Sequence, residues 1–247
     1  YIIMSKEKVI LAYSGGLDTT AIIPWLKENY DYEVVCCCID CGQGSELDGL
    51  SERAKLSGAA KLYIEDVVDE FSEDFIMPCV QAGAVYENKY LLGTSMARPL
   101  IAKKLVEIAR KENAVAICHG ATGKGNDQIR FDMTFLVKAP GVEIITLTRD
   151  KNLSRKEEID YLNANGFTAD FTKLKYSYNV GIWGTSICGG EILDSAQGLP
   201  ESAYLKHPEK QGSEILSLGF EKGELKSVNG VDFEDKIAAI QEVEKIG

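Results

Sequence analysis

The sequence predicts an α/β fold built on a doubly wound parallel sheet, followed by a smaller α+β part. Three observations predict it. Over about the first 150 residues, short apolar runs rich in β-branched residues alternate with longer helical patterns. Two of those runs pass directly into glycine-rich loops. After Leu147 the pattern gives way to loop glycines, Tyr, Trp and turn signals.

Lys8–Tyr13 (KVILAY) reads as a buried strand and Thr19–Asn29 as the helix that follows it. Glu33–Cys38 (EVVCCC) and Leu47–Ser57 repeat the pair, and Lys61–Glu65 with Val68–Met77 repeats it again. Ala97–Asn113 is the clearest helix, because Ala97, Leu100, Ile101, Leu105, Ile108 and Ala109 recur on one helical face. Ala114–Cys118 and Val142–Leu147 supply two more buried strands. Ser154 opens a capping box with Glu157, predicting a helix to about Asn165 that Gly166 stops. Beyond it, Ile215–Phe220 and Leu225–Val228 form a hairpin about Glu221–Gly223, and Asn229-Gly230 marks another turn. Glu234–Ile246 reads as a last helix with Ile237, Ile240 and Val243 on one face. A boundary near residue 166 thus divides an α/β domain (1–166) from part of a second domain (167–247).

With 45% hydrophobic and 26% charged residues the chain can build an ordinary core. No apolar run approaches the roughly 20 residues that a membrane span needs. The net charge of −11, from 38 acidic and 27 basic residues, repels a phosphate backbone, and no basic cluster offers a local exception. Nucleic acid is therefore argued against, while a small anion remains open to backbone dipoles. Seven cysteines, three of them consecutive at 36–38, do not read as a secreted disulfide framework and suggest reduced thiols in a cytosolic protein. Cys38 and Cys41 form a CxxC, but zinc would need a second ligand pair, which no suitable spacing supplies.

The first strand runs into Ser14-Gly15-Gly16-Leu17-Asp18-Thr19-Thr20. Adjacent glycines let backbone N–H groups approach a ligand, and the next helix aims its orphan N–H groups at the same point. Hydroxyls of Ser14, Thr19 and Thr20 add donors, so the loop suits a pyrophosphate-sized anion. A plain serine-glycine turn with Asp18 as helix cap is the alternative. A Walker A loop would need lysine before Ser/Thr, GxGxxG is absent, and a nucleophile elbow would need glycine where Ala12 stands.

The fourth strand ends at Cys118-His119 and leads into Gly120-Ala121-Thr122-Gly123-Lys124-Gly125-Asn126-Asp127-Gln128-Ile129-Arg130. With strand order 3-2-1-4-5, both glycine-rich loops open onto the crevice at the topological switch point. There Arg130 can clamp a carboxylate and Asn126 can orient an amide or carboxylate. Lys124 can neutralise charge developing on phosphate. Asp127 can hold an ammonium group or Mg2+, or simply cap the next helix. His119 has the chemistry of a base, yet a histidine at a strand end more often hydrogen-bonds its loop.

The first loop resembles the SGGxDS/T loop of the PP-loop families (N-type ATP pyrophosphatases), whose fold is that of the adenine nucleotide alpha hydrolases. Three longer blocks narrow the resemblance: Ala12–Thr20, Tyr86-Glu87-Asn88-Lys89-Tyr90-Leu91-Leu92-Gly93-Thr94-Ser95-Met96-Ala97-Arg98-Pro99, and His119–Gln128. In this order they resemble the argininosuccinate synthase family, over about Lys8 to at least Glu191. The resemblance implies a carbon–nitrogen ligase of arginine biosynthesis that joins citrulline to aspartate, cleaves ATP to AMP and pyrophosphate through citrullyl-AMP, and requires Mg2+. It implies ATP contacts at Ala12, Tyr13, Ser14, Gly15, Gly16, Leu17, Asp18, Thr19, Thr20, Ile39 and Gly120. Ile39 stands where the family usually has a smaller residue.

Citrulline contacts are implied at Tyr90, Ser95, Asn126, Arg130, Ser177 and Ser186, and aspartate contacts at Thr122, Asn126 and Asp127. Around Ser177 and Ser186, Asn179 and Gly181 replace the commoner acidic and asparagine residues. Asp18, Lys124 and Asp127 are the candidate catalytic residues, and no resident metal site is expected. The resemblance also implies a cytoplasmic protein, a homotetramer in the full-length family member, and a further C-terminal portion that this chain lacks. A tRNA thiolase of the same superfamily and a nucleotide-binding module without turnover are the competing readings.

Overall fold

The structure is a computed structural model that describes residues 6–151, 155–167, 175–207 and 212–246. In chain order its strands and α-helices are β1 (Lys8–Ala12), α1 (Leu17–Tyr30), β2 (Glu33–Asp40), α2 (Leu50–Leu56), β3 (Lys61–Asp66), α3 (Val68–Phe71), α4 (Met77–Gln81), α5 (Gly93–Glu112), β4 (Ala116–Cys118) and α6 (Asp127–Lys138), then β5 (Glu143–Ile145), α7 (Leu147–Lys151), α8 (Arg155–Ala164), β6 (Tyr176–Asn179), β7 (Ser186–Gly189), β8 (Leu218–Glu221), β9 (Glu224–Val228), β10 (Val231–Asp232) and α9 (Lys236–Ile246). They separate into two compact units, one of Tyr1–Asp40, Gly44–Asp66 and Arg98–Phe171, the other of Cys41–Gln43, Val67–Ala97 and Thr172–Gly247.

The first unit holds a five-stranded sheet in the order β3-β2-β1-β4-β5, and all its pairings are parallel. Parallel strands are covered on both faces, so they read as continuous apolar runs. Val9, Leu11, Val34, Cys36 and Cys38 pack with Ile22, Ile23 and Leu26 of α1 and Leu50 and Ala54 of α2. The alternate residues Ile10, Val35, Cys37 and Ile117 are equally buried. Leu17 and Ala21 of α1 also pack on Leu162 of α8. The chain leaves β1 toward β2 but returns to pair β4 on the other side, which puts the switch point between β1 and β4. This is the doubly wound sheet that the sequence predicts. The Ser154 capping box lies outside the described residues.

In the second unit β6 pairs antiparallel with β7, and β10-β9-β8 form an antiparallel sheet. Lys222 and Gly223 both take positive φ between β8 and β9, as do Asn229 and Gly230 between β9 and β10. Two central residues at positive φ make the type I′ turn that matches strand twist. α9 buries Ala239 against Leu225 and Val228. The helix predicted over Val68–Met77 is not a single α-helix. A π-helical turn at Ser72–Ile76 separates α3 from α4, which runs on to Gln81.

Candidate active site

The first loop is shaped by what surrounds it. Beyond β1, the Tyr13 N–H donates to the Cys37 carbonyl at 2.9 Å, and the chain then breaks from the sheet. Gly15 has φ +75°, and a Cβ there would stand 2.4 Å from Leu50 Cδ1, so both conformation and space require glycine. Gly16 is the N-cap of α1 in extended conformation, and no side chain caps the helix. Asp18 therefore sits in the first turn rather than at the cap. The first-turn N–H groups of a helix have no intrahelical partner, and with the dipole they favour an anion here.

Ser14 Oγ accepts from the Gly16 N–H at 3.3 Å and lies 3.2 Å from Thr19 Oγ1. Ser14 is exposed and Asp18 half-buried, whereas Tyr13, Leu17 and Thr20 are buried. The Tyr13 hydroxyl faces Thr20 Oγ1 at 3.5 Å. Buried side chains such as these shape the loop from within, and reach a ligand only through their backbone. Ile39 is buried near the end of β2.

The second loop meets the first. His119 N–H donates to the Ile145 carbonyl, extending the β4–β5 pairing by one residue. A Cβ on Gly120 would lie 3.2 Å from Thr19 Cγ2 and 3.6 Å from Ile22 Cδ1. Glycine there lets the start of one loop press against the helix that begins at the other. Thr122, Lys124 and Asn126 are exposed beyond it. Asp127 opens α6, and its two carboxylate oxygens accept from Arg98 Nε at 2.9 Å and Arg130 Nη1 at 3.0 Å. A cavity of about 370 Å³ borders this region, lined by Asp18, Ile22, Trp25, Leu147, Thr148 and Tyr161 among others.

His119 is fully buried. Its Nδ1 accepts the Ala121 N–H at 3.2 Å, so the ring proton is on Nε2, 2.9 Å from Asp132 Oδ1. The ring stacks on Phe131 with centroids 5.2 Å apart. Burial holds the imidazole below its ordinary range against the opposing pull of Asp132. With both nitrogens engaged, His119 braces the loop, the plainer of the two roles its position suggests. Asp132, Arg149 and Arg98 carry polar contacts that sequence reasoning did not single out. Their only signal is charge, and folding alone brings them beside the loop.

In the second unit, Tyr86 and Tyr90 close a tight turn through the Tyr86 N–H and Tyr90 N–H, with Glu87 and Asn88 at positive φ. A Cβ on Gly93, the first residue of α5, would meet the Trp183 carbonyl at 2.8 Å. Tyr90 is half-buried, and burial alone would raise its phenol. Hydrogen bonds with Ser95, Thr94 and Ser186 outweigh that and hold it below the ordinary value. Tyr90, Ser95 and Ser186 are thus brought into one hydroxyl cluster. Asn179 lies opposite Ser186 and Ser177 opposite Cys188 in the β6–β7 ladder, so Ser177 and Ser186 share a sheet face.

Among the described residues no group of three or more His, Cys, Asp or Glu is placed to hold a metal ion. No helix among them is long and apolar enough to cross a membrane.

Residues 8–168 match the family model described as the arginosuccinate synthase N-terminal HUP domain. The chain is 59% identical over 253 aligned positions to an argininosuccinate synthase from Agathobacter rectalis, covering 98% of this chain and 61% of that protein. It is 62% identical to one from Lachnoclostridium phytofermentans, covering 91% of this chain and 58% of the relative. An NH3-dependent NAD synthetase from Campylobacter jejuni superposes with a TM-score of 0.44 at 13% identity over 72% of both chains, a likeness too weak to argue from. The chain spans about three-fifths of the length of the curated relatives it matches. A family model matched across most of the chain, together with relatives 59% and 62% identical to it, establishes that the chain belongs to the argininosuccinate synthase family.

Proposed function

We propose that the chain carries the ATP-dependent ligation of citrulline to aspartate, giving argininosuccinate, AMP and pyrophosphate. One observation carries the reading furthest: the uncapped N-terminus of α1 and the loop after β4 meet at Gly120 and Thr19. The backbone from Ala12 to Thr20, with Ile39 and Gly120, holds ATP. A Mg2+ ion bound with ATP would neutralise phosphate charge there. Asp18, half-buried at the loop, fits such a contact, whereas both oxygens of Asp127 already accept from arginines.

The citrulline ureido oxygen attacks the α-phosphorus and pyrophosphate leaves. The aspartate amine then attacks the ureido carbon, AMP departs, and the amine loses its protons to solvent. Neither step needs a covalent protein nucleophile, so alignment and charge stabilisation carry the catalysis. Lys124 stabilises the developing phosphate charge. Tyr90, Ser95, Ser177, Ser186, Asn126 and Arg130 hold citrulline, and Thr122, Asn126 and Asp127 hold aspartate. A cytoplasmic homotetramer belongs to the same proposal.

A sulfur-transfer role is not favoured: Cys36, Cys37, Cys38, Cys41 and Cys118 are buried, which leaves only half-buried Cys79 and exposed Cys188, in separate elements, to carry sulfur. Burial pushes the Cys38 thiol up to about 11, and a thiol is nucleophilic only as thiolate. Sustained, multiple-turnover pyrophosphate release that requires citrulline and aspartate together would support the proposal. Sustained release that ignores either amino acid, or no release at all, would overturn it.

A further inference from the structure

Loops as rich in glycine as 120–125 have little side-chain packing to hold them, yet the reaction would need this one within a fraction of an ångström. The polar contacts around it answer this from outside the loop. Arg149, in the short helix α7, donates through Nη1 to Asp132 Oδ2 at 2.8 Å and to Gln128 Oε1 at 3.0 Å. Its Nη2 donates to Thr146 Oγ1 at 2.9 Å. Gln128 in turn donates through Nε2 to the carbonyls of Gly123 at 2.9 Å and Gly125 at 3.3 Å. Asp132 holds His119, which accepts the Ala121 N–H. One guanidinium thus reaches both ends of the loop, Ala121 through Asp132 and His119, and Gly123 and Gly125 through Gln128. The stem of Arg149 also backs the loop, since a Cβ on Gly123 would lie 3.3 Å from Arg149 Cγ.

We infer that Arg149 is a positioning residue, a clamp that fixes the glycine-rich loop 120–125 through two hydrogen-bonded arms. Three of its five N–H donors are engaged by acceptors that lead to the loop or to its own helix. The catalytic consequence rests on the function proposed above, because Gly120 and Thr122 belong to ATP and aspartate there. The clamp itself does not.

The test compares amide hydrogen exchange, read by mass spectrometry, in peptides covering 119–128 for the unaltered protein, Arg149→Met, Arg149→Lys and Gln128→Met. Exchange in that segment should rise about tenfold or more in Arg149→Met, with β1 and β2 peptides unchanged. Arg149→Lys keeps the charge but loses the fork, and should not restore protection. Gln128→Met leaves the Arg149–Asp132 ion pair intact and should loosen Gly123–Gly125 alone. In pyrophosphate release, Arg149→Met should raise KM for aspartate more than it lowers kcat. Unchanged loop exchange in both methionine variants, or full rescue by lysine, overturns the clamp. If Arg149→Met raises exchange everywhere, Gln128→Met decides: local loosening sustains the clamp and none refutes it. An unaltered protein that releases no pyrophosphate refutes the proposed function while the exchange comparison still judges the clamp.

Discussion

Thr94 Oγ1 lies 3.3 Å from Ser186 Oγ, joining the first turn of α5 to strand β7 across 92 positions of sequence. The pair sits beside the Tyr90 phenol, whose pKa it helps to hold down. Ser186→Ala removes one of those hydroxyls, so Tyr90 should titrate at higher pH than in the unaltered protein. Ultraviolet difference titration of the phenolate, with Tyr90→Phe to identify the signal, measures this directly. The same variant should weaken citrulline use roughly two- to tenfold, the worth of one neutral hydrogen bond. No movement of the Tyr90 titration would mean the cluster does not form in solution.

Gly15 and Gly16 should fail in different ways when substituted. Gly15→Ala places a Cβ 2.4 Å from Leu50 Cδ1 at φ +75°, and should cost about 1–3 kcal/mol of stability. The nearest neighbour of a Cβ on Gly16 is Ser14 Oγ at 3.4 Å, and φ is −73°. Gly16→Val should therefore fold normally yet lose ATP–pyrophosphate exchange, because the side chain occupies the phosphate approach. Thermal melts and exchange assays on both variants separate the effects. Normal exchange in folded Gly16→Val would remove this loop as the phosphate site.

Arg130→Lys should raise KM for citrulline by about tenfold or more while leaving ATP affinity nearly unchanged. Arginine offers a planar fork that also reaches Asp127 at 3.0 Å, and lysine offers a point charge without that geometry. Equal losses for ATP and citrulline would show that Arg130 serves the nucleotide instead.

His119 makes stability depend on pH. Burial lowers its folded pKa below the ordinary 6.5, so the unfolded chain binds the proton more readily. The stabilisation is complete above about pH 6.5 and is lost as pH falls through the depressed folded value. Asp132, also held low, acts in the same direction below its ordinary 3.8, since hydrogen bonds from Arg149 and His119 outweigh its own desolvation. Urea denaturation at pH 7.5 and 5.5 should show a loss on acidification that is smaller in His119→Gln. An identical loss in that variant would assign the effect elsewhere.

The sheet was legible because parallel strands buried on both faces must be apolar throughout, as KVILA and EVVCCC are. The glycine-rich loops were legible because close backbone approach admits little else. β6 (YSYN) and β7 (SICG) were not, since both are short, mostly half-exposed, and specified by pairing with each other. The start of α5 at Gly93 precedes the predicted Ala97, as Gly93, Thr94 and Ser95 are poor helix formers held by contacts such as that of Thr94 with Ser186. The π-helical turn at Ser72–Ile76 leaves no periodic trace. The Arg149 contacts join residues from two separate stretches, 128–132 and 146–149, so no local pattern announces them.

The pairing of β1 with β4 also sets an order of events during synthesis. Val9 and its partner Ala116 lie 107 positions apart. At about 5–20 residues per second a ribosome needs roughly 5–20 s to make that interval. Through it β1 can pair with β2, but its other edge stays open, and an unpaired apolar strand edge invites association with other chains. Parallel pairing at such separation is also slow to close. On the function proposed above, a nascent chain gains nothing from ATP until β4 and its loop have emerged, so the glycine loop after β1 becomes useful only once a strand 107 positions further on has been made.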